Sequence, residues 1–258
     1  MTATVEQSSR WLPLRTPGST GLPLFCFPHA GAGASAYRSW VGRLPGVEVL
    51  PVQAPGREAR LREPAYEQLG PMVEELATVV LDAVDGGPYA LYGHSLGALV
   101  AFETLRKIRR RGATEPAHLI VSGCAAPQCP VEDGPPVTGM SQAELARMLG
   151  KLGGTPAWLL SDPELLQMIL PAVRADFSVK ETYRYVEQAP ISVPLTVLAS
   201  TADPRAAHHL QERWRELTAA EFRLHTLTGG HFAVLEQHER THQHLSHALA
   251  AALGATAG

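Results

Sequence analysis

Ser95 stands at the centre of Gly93-His94-Ser95-Leu96-Gly97, a Gly-x-Ser-x-Gly pentad. A serine hydroxyl becomes a useful nucleophile only when a nearby base removes its proton. The pentad is a way of presenting one. The apolar run Tyr89-Ala-Leu-Tyr before it, bounded by Gly86-Gly87-Pro88, reads as a short buried strand, and Ala98 to Glu103 after it reads as a helix. A serine at such a junction sits on a sharp turn with its hydroxyl exposed, and glycines at 93 and 97 omit side chains that would collide across it. The helix N-terminus just behind offers N–H groups to an anionic intermediate.

The base must be a histidine, oriented by a carboxylate and following the order Ser, acid, His along the chain. Of eleven histidines, His231 lies in Thr228-Gly229-Gly230-His231-Phe232, a Gly-rich loop between a strand and the last helix. His208 and His209 fall within a helix, His225 within a strand and His238 onward within the final helix, while His94 is expected to point away from the turn. For the acid, Asp203 follows the strand Leu195 to Ala199, where an α/β sheet presents functional groups. Asp203-Pro204 is also a common helix opening, so a capping role competes. Asp133, Asp162 and Asp176 belong to a helical insertion and are worse placed. The oxyanion needs two backbone donors, expected at Leu96 and at Ala30 in Pro28-His29-Ala30-Gly31.

Two other motifs imply different chemistry. Gly31-Ala-Gly33-Ala-Ser-Ala36 matches a dinucleotide fingerprint, but the next strand leads into Gln53-Ala54-Pro55 with no acid to hold a ribose. His238-Glu-Arg-Thr-His242 matches a zinc-protease helix, but both histidines share the apolar stripe of Leu235, Leu245 and Leu249, so packed histidines are expected.

The elements that must carry these groups alternate. Strands are expected at Leu22–Phe27, Val47–Val52, Tyr89–Tyr92, His118–Val121, Val193–Ala199 and Phe222–Leu227. Helices are expected at Ala36–Leu44, Tyr66–Val84, from Ala98 to the Arg106–Arg111 run, Arg205–Leu217 and Phe232–Leu253. Residues 1–20 suggest a loose arm or an edge strand around Trp11. Alternation of this kind implies an α/β fold with a mostly parallel sheet covered on both faces. The rhythm breaks over 125–190, where Ser141-Gln-Ala-Glu144 signals a capping box and Asp162-Pro163 opens a second helix. This stretch reads as a helical lid within one domain spanning 1–258.

The chain has 258 residues, 45% hydrophobic and 18% charged, with formal net charge −3. That is ordinary for a globular enzyme, argues against nucleic-acid binding, and leaves no run of membrane-spanning length. Met1 to Arg10 carries Glu6 and no apolar core, so no export signal is expected. Cys26, Cys124 and Cys129 form no framework, consistent with unpaired thiols in a reducing cytoplasm.

Phe27-Pro-His-Ala-Gly-Ala-Gly33, Pro55-Gly56-Arg57, the Ser95 pentad, Val173-Arg-Ala-Asp-Phe177 and Gly229-Gly-His-Phe232 together resemble type II thioesterases. These are the stand-alone editing enzymes of polyketide and nonribosomal peptide assembly lines. The resemblance implies an α/β-hydrolase fold with a helical lid, and hydrolysis of acyl or aminoacyl thioesters from the phosphopantetheine arms of carrier proteins. It implies Ser95, Asp203 and His231 as a triad, and no metal or redox cofactor. Chain-releasing relatives place the acid after the strand that follows the nucleophile helix. Here that position reads Ser122-Gly123-Cys124, without a carboxylate. Arg57, Arg60, Arg62 and the Arg106–Arg111 run are candidate contacts for an acidic carrier, the last competing with a plain helix-dipole role on a solvated face. The alternatives are a carboxylesterase or lipase, and an inactive hydrolase-fold protein that only binds carriers.

Overall fold

A computed structural model describes residues 9–129 and 136–256. Six strands, β1 (Leu22–Phe27), β2 (Val47–Pro51), β3 (Ala90–His94), β4 (His118–Ser122), β5 (Leu195–Ser200) and β6 (Phe222–Leu227), form one sheet in the order β2-β1-β3-β4-β5-β6. Every pairing is parallel. The strands alternate in side-chain direction. Phe25, Phe27 and Leu91 join one core with Leu76, Val80, Leu99 and Phe102, while Leu24, Cys26 and Tyr92 join a second with Trp40, Leu245 and Leu249.

The helices are α1 (Leu69–Val84), α2 (Leu96–Arg110), α3 (Gln142–Leu152), α4 (Ala157–Leu160), α5 (Pro163–Thr182), α6 (His208–Glu212), α7 (Ala233–Glu236) and α8 (His238–Thr256). Those from α3 to α5 lie between β4 and β5 and close around a third apolar cluster, including Leu145, Leu149, Leu170, Val173 and Phe177. The capping box at Ser141 and the Asp162 cap, which accepts from the Glu164 and Leu165 N–H groups, start α3 and α5 where their sequences signal. Asp133 lies outside the described residues.

Some expectations change. Trp11 lies in a helical turn, not an edge strand, and is fully buried with its indole N–H donating to Glu75. The helix expected at Ala36–Leu44 is a 3-10 helix at Ala34–Trp40. Arg205–Leu217 divides into α6 and a 3-10 turn, and the closing helix breaks at Gln237. Among the described residues no helix is long and apolar enough to cross a membrane.

Strand order positions the chemistry. The chain goes from β1 outward to β2, then returns to lay β3 on the other side of β1. The carboxyl ends of β1 and β3 therefore flank a crevice of the kind in which α/β sheets present ligand-binding groups. Phe27 pairs with Gly93 there, so the loop after β1 and the turn after β3 leave the sheet side by side.

Candidate active site

The turn after β3 is too tight for side chains at its flanks. A Cβ on Gly93 would come within 2.1 Å of the Gly97 carbonyl oxygen, and one on Gly97 within 2.0 Å of the Phe27 carbonyl oxygen. Between them Ser95 adopts φ 55° and ψ −118°, a backbone region that an L-residue occupies at a cost of about 1–3 kcal/mol. Its N–H is tied to the Ser122 carbonyl at 2.8 Å.

The three side chains singled out by sequence meet at this turn. His231 Nε2 is 3.0 Å from Ser95 Oγ. His231 Nδ1 is 2.9 Å and 2.8 Å from the two carboxylate oxygens of Asp203. Asp203 Oδ1 also accepts from the backbone N–H groups of Arg205 (2.8 Å) and Ala206 (3.2 Å). One carboxylate thus braces its own loop and faces the imidazole, but it caps no helix, because α6 begins only at His208 with Ala207 as its N-cap. His231 and Asp203 are buried, 3% and 8% exposed, which shields their interaction from solvent.

Ala30 and Leu96 line one small cavity together with Ser95 and His231. Ala30 is the second residue of a turn closed by the Ala32 N–H bond to the His29 carbonyl at 3.1 Å, with Gly31 at φ 80° as its third. A larger cavity, about 580 Å³, opens from Ser95 and is lined by Leu99, Ala126, Phe177, Tyr183 and Tyr185 among others. Phe177 borders both spaces, so the α3–α5 insertion walls the site.

His94 does not approach the Ser95 hydroxyl, but neither does it leave the site. Its ring packs 4.9 Å from that of His231, centroid to centroid, and its Nδ1 lies 3.0 Å from Ser122 Oγ. Burial, followed by the fields of His231 and His29, pushes its pKa well below the usual histidine range. This contact depends on strand register, which leaves no local pattern in the sequence: His94 pairs with Ser122, which sets the hydroxyl beside its ring. Gly123 follows, and a Cβ there would meet His94 Cε1 at 2.6 Å. The end of β4 thus has no room for an acid at 123.

Three of the arginines read as carrier contacts, Arg57, Arg60 and Arg106, are internal. Arg57 is 6% exposed and forms a two-point ion pair with Asp176. Burial opposes its charge, yet the Asp176 carboxylate outweighs that and raises the pKa. Arg60 packs over Trp11 and pairs with Glu63. Arg106 is 1% exposed, bonded to Glu103, Gln188 and the Val186 carbonyl, which also removes the solvated-face reading at that position. Lys107 and Arg111 hold Glu74, and Arg109 holds two carbonyls. Arg62, Arg110 and Arg111 are exposed.

The two competing motifs are structural. Trp40 donates to His238 Nδ1 at 3.1 Å and stacks edge-on against His242. In the Gly31–Ala36 segment the Glu58 carboxylate accepts from the Ser35 N–H and hydroxyl, so an acid already occupies donors that a pyrophosphate would need.

The thioesterase domain family matches residues 22–249. The chain belongs to the thioesterase family. It is 39% identical to a protein of Brevibacillus parabrevis, linear gramicidin dehydrogenase LgrE, over 93% of this chain and 92% of that one. RedJ, the thioesterase of the prodiginine pathway in Streptomyces coelicolor, superposes with TM-score 0.83 at 36% identity, covering 93% of this chain and 99% of its own. BorB, the type II thioesterase of the borrelidin cluster, superposes with TM-score 0.82 at 35% identity, covering 93% and 96%. This chain is therefore a type II thioesterase with the α/β-hydrolase fold, a thioester hydrolase.

Proposed function

We propose that this thioesterase hydrolyses acyl or aminoacyl thioesters on the phosphopantetheine arms of carrier proteins, clearing stalled or misprimed units from an assembly line. The observation that carries the reading is the continuous bonding from Asp203 through His231 to Ser95 in a chain of this family.

In this reading His231 Nε2 takes the Ser95 proton as Oγ attacks the thioester carbonyl. The N–H groups of Leu96 and Ala30 hold the resulting oxyanion. Collapse breaks the C–S bond, and the pantetheine thiol leaves with the proton from His231. Water, deprotonated by the same nitrogen, then attacks the acyl-serine; the carboxylic acid departs and Ser95 regains its proton. Asp203 keeps Nδ1 protonated and stabilises the imidazolium. A thiolate leaves readily, so acid assistance weighs less than it would for an amide. The α3–α5 insertion, with the whole 125–190 stretch, acts as the lid of a single domain and gates the 580 Å³ cavity that receives the acyl group. The reaction belongs to a reducing cytoplasm, in keeping with a cysteine pattern that builds no disulfide framework, and takes carrier proteins or small acyl thioesters as partners.

The test is hydrolysis of a panel of acyl-loaded carrier proteins read by intact mass, beside the matching oxygen esters. Carrier thioesters should be cleaved faster, and Ser95→Ala should abolish turnover. A preference for oxygen esters would return the carboxylesterase reading. Binding of carriers without turnover would return the inactive one.

A further inference from the structure

Asp176 sits on insertion helix α5, 145 residues from Gly31, yet its Oδ2 accepts the Gly31 N–H at 2.7 Å. It is 3% exposed and borders the small cavity shared by Ser95, Ala30, Leu96 and His231. The same carboxylate receives both terminal nitrogens of Arg57, whose Nη1 also donates to the Ala32 carbonyl at 3.2 Å. One turn earlier on α5, Val173 presses on the loop so closely that a Cβ on Gly31 would lie 2.6 Å from its Cγ2. The turn holding Ala30 is thus pinned at its third residue by a carboxylate and at its fourth by a guanidinium. Both groups are buried, and each is needed to compensate the other.

We propose that Asp176 is a positioning residue for the oxyanion donor at Ala30, so that the hole is completed by a helix of the insertion as well as by the sheet. The inference rests on the function proposed above. Backbone donors stabilise an oxyanion only when aimed in advance, and a loop of small residues such as Ala30-Gly-Ala-Gly-Ala34 has little stiffness of its own. Asp176 supplies the aim by removing the freedom of the peptide that follows Ala30. Acting through that peptide, it needs no contact with substrate.

Asp176→Leu removes the oxygen that accepts the Gly31 N–H. Because it leaves Arg57 buried without its partner, the double variant Asp176→Leu/Arg57→Met, which removes both charges, guards against misfolding. Each is assayed with octanoyl-pantetheine, with octylboronic acid, whose adduct on Ser95 places an oxygen in the hole, and with the unreactive octyl thioether of pantetheine. In whichever variants melt cooperatively, kcat should fall roughly 10- to 100-fold with KM within about threefold. Boronate affinity should fall in parallel while thioether affinity holds. A folded double variant with wild-type kcat and boronate affinity would overturn the inference, as would equal losses for boronate and thioether, which would mean a damaged cavity. Fluorophosphonate labelling separates the two levels. Wild-type protein that fails to label at Ser95 removes the nucleophile reading and this inference with it, whereas normal labelling with unaltered variants removes the inference alone.

Discussion

The imidazole of His94 lies against that of His231, the rings 4.9 Å apart and tilted by 43°. Because burial and its neighbours keep His94 uncharged at neutral pH, it supplies His231 with a packed wall that carries no repelling charge. His94→Phe preserves a ring but loses the bond to Ser122. It should lower stability by about 1 kcal/mol in thermal melts and reduce kcat/KM only modestly. A buried cation is different. His94→Lys would disfavour the imidazolium formed during attack, so the acid limb of the kcat/KM profile should move to lower pH in whatever folded protein is obtained.

The histidines also set acid stability. Burial, then the charges of His231 and Arg57, lowers the His29 pKa to about 3, and burial with Arg223 lowers His118 to about 4; His94 moves the same way. Each binds its proton more readily in the unfolded chain, near 6.5. Their contribution is therefore intact above pH 6.5 and declines as pH falls from there toward 3–4, by at most about 1.4 kcal/mol per pH unit for each proton. Denaturant unfolding at pH 7 and pH 5 measures the loss. His118→Asn, which keeps a polar partner for Thr196, should flatten the dependence.

Asp203 carries two loads that substitution can separate. Asp203→Asn can still accept the Arg205 and Ala206 N–H groups through Oδ1, so melting should change little. It favours the wrong His231 tautomer, however, and kcat should fall by roughly 10³–10⁴. Asp203→Ala should show the same kinetic loss with an added destabilisation of about 1–3 kcal/mol from the two unsatisfied amides. Steady-state kinetics beside calorimetry distinguishes the two.

Arg106→Met should behave as a core mutation. It strands the Glu103 carboxylate, held otherwise by the Tyr183 hydroxyl at 2.9 Å, and should cost about 3–5 kcal/mol by denaturant unfolding. If carrier binding is salt-sensitive, Arg62→Glu or Arg110→Glu should alter that sensitivity, whereas Arg57 and Arg60 are committed inside.

Gly123→Ala should hurt chemistry and folding together. At φ 58°, with a new methyl pressing on His94 and lying 3.2 Å from His231 Cε1, a loss of about 1–3 kcal/mol is expected with a fall in kcat, read by melting and turnover.

Ser95 was legible as a candidate nucleophile because its turn imposes local steric rules that leave glycines at fixed offsets. His231 and Asp203 were legible for a related reason. Each follows a strand whose apolar run is obvious, and the carboxyl ends of parallel strands share one edge of the sheet. The capping box at Ser141 and the Asp162 cap are likewise short-range hydrogen bonds written in a few residues. Arg57, Arg60 and Arg106 misled because a charge in sequence carries no record of its partner. Arg57 finds Asp176 across 119 residues, and Arg106 is covered by the 183–190 segment through Tyr185 and Gln188. The helix at 205–217 and the end of the chain were misjudged in detail because periodicity does not register a change from α to 3-10 geometry or a one-residue break.

Local pattern by itself thus determined the alternating α/β order, the tight turn at Ser95 and the three candidate side chains, since each follows from backbone sterics or strand-end position within about ten residues. Tertiary structure alone decided which charges are buried, that His94 backs His231, and that Asp176 reaches from α5 to the Gly31 amide. Those are contacts between elements far apart in the chain, set by strand register and helix seating, and one-dimensional spacing does not encode them.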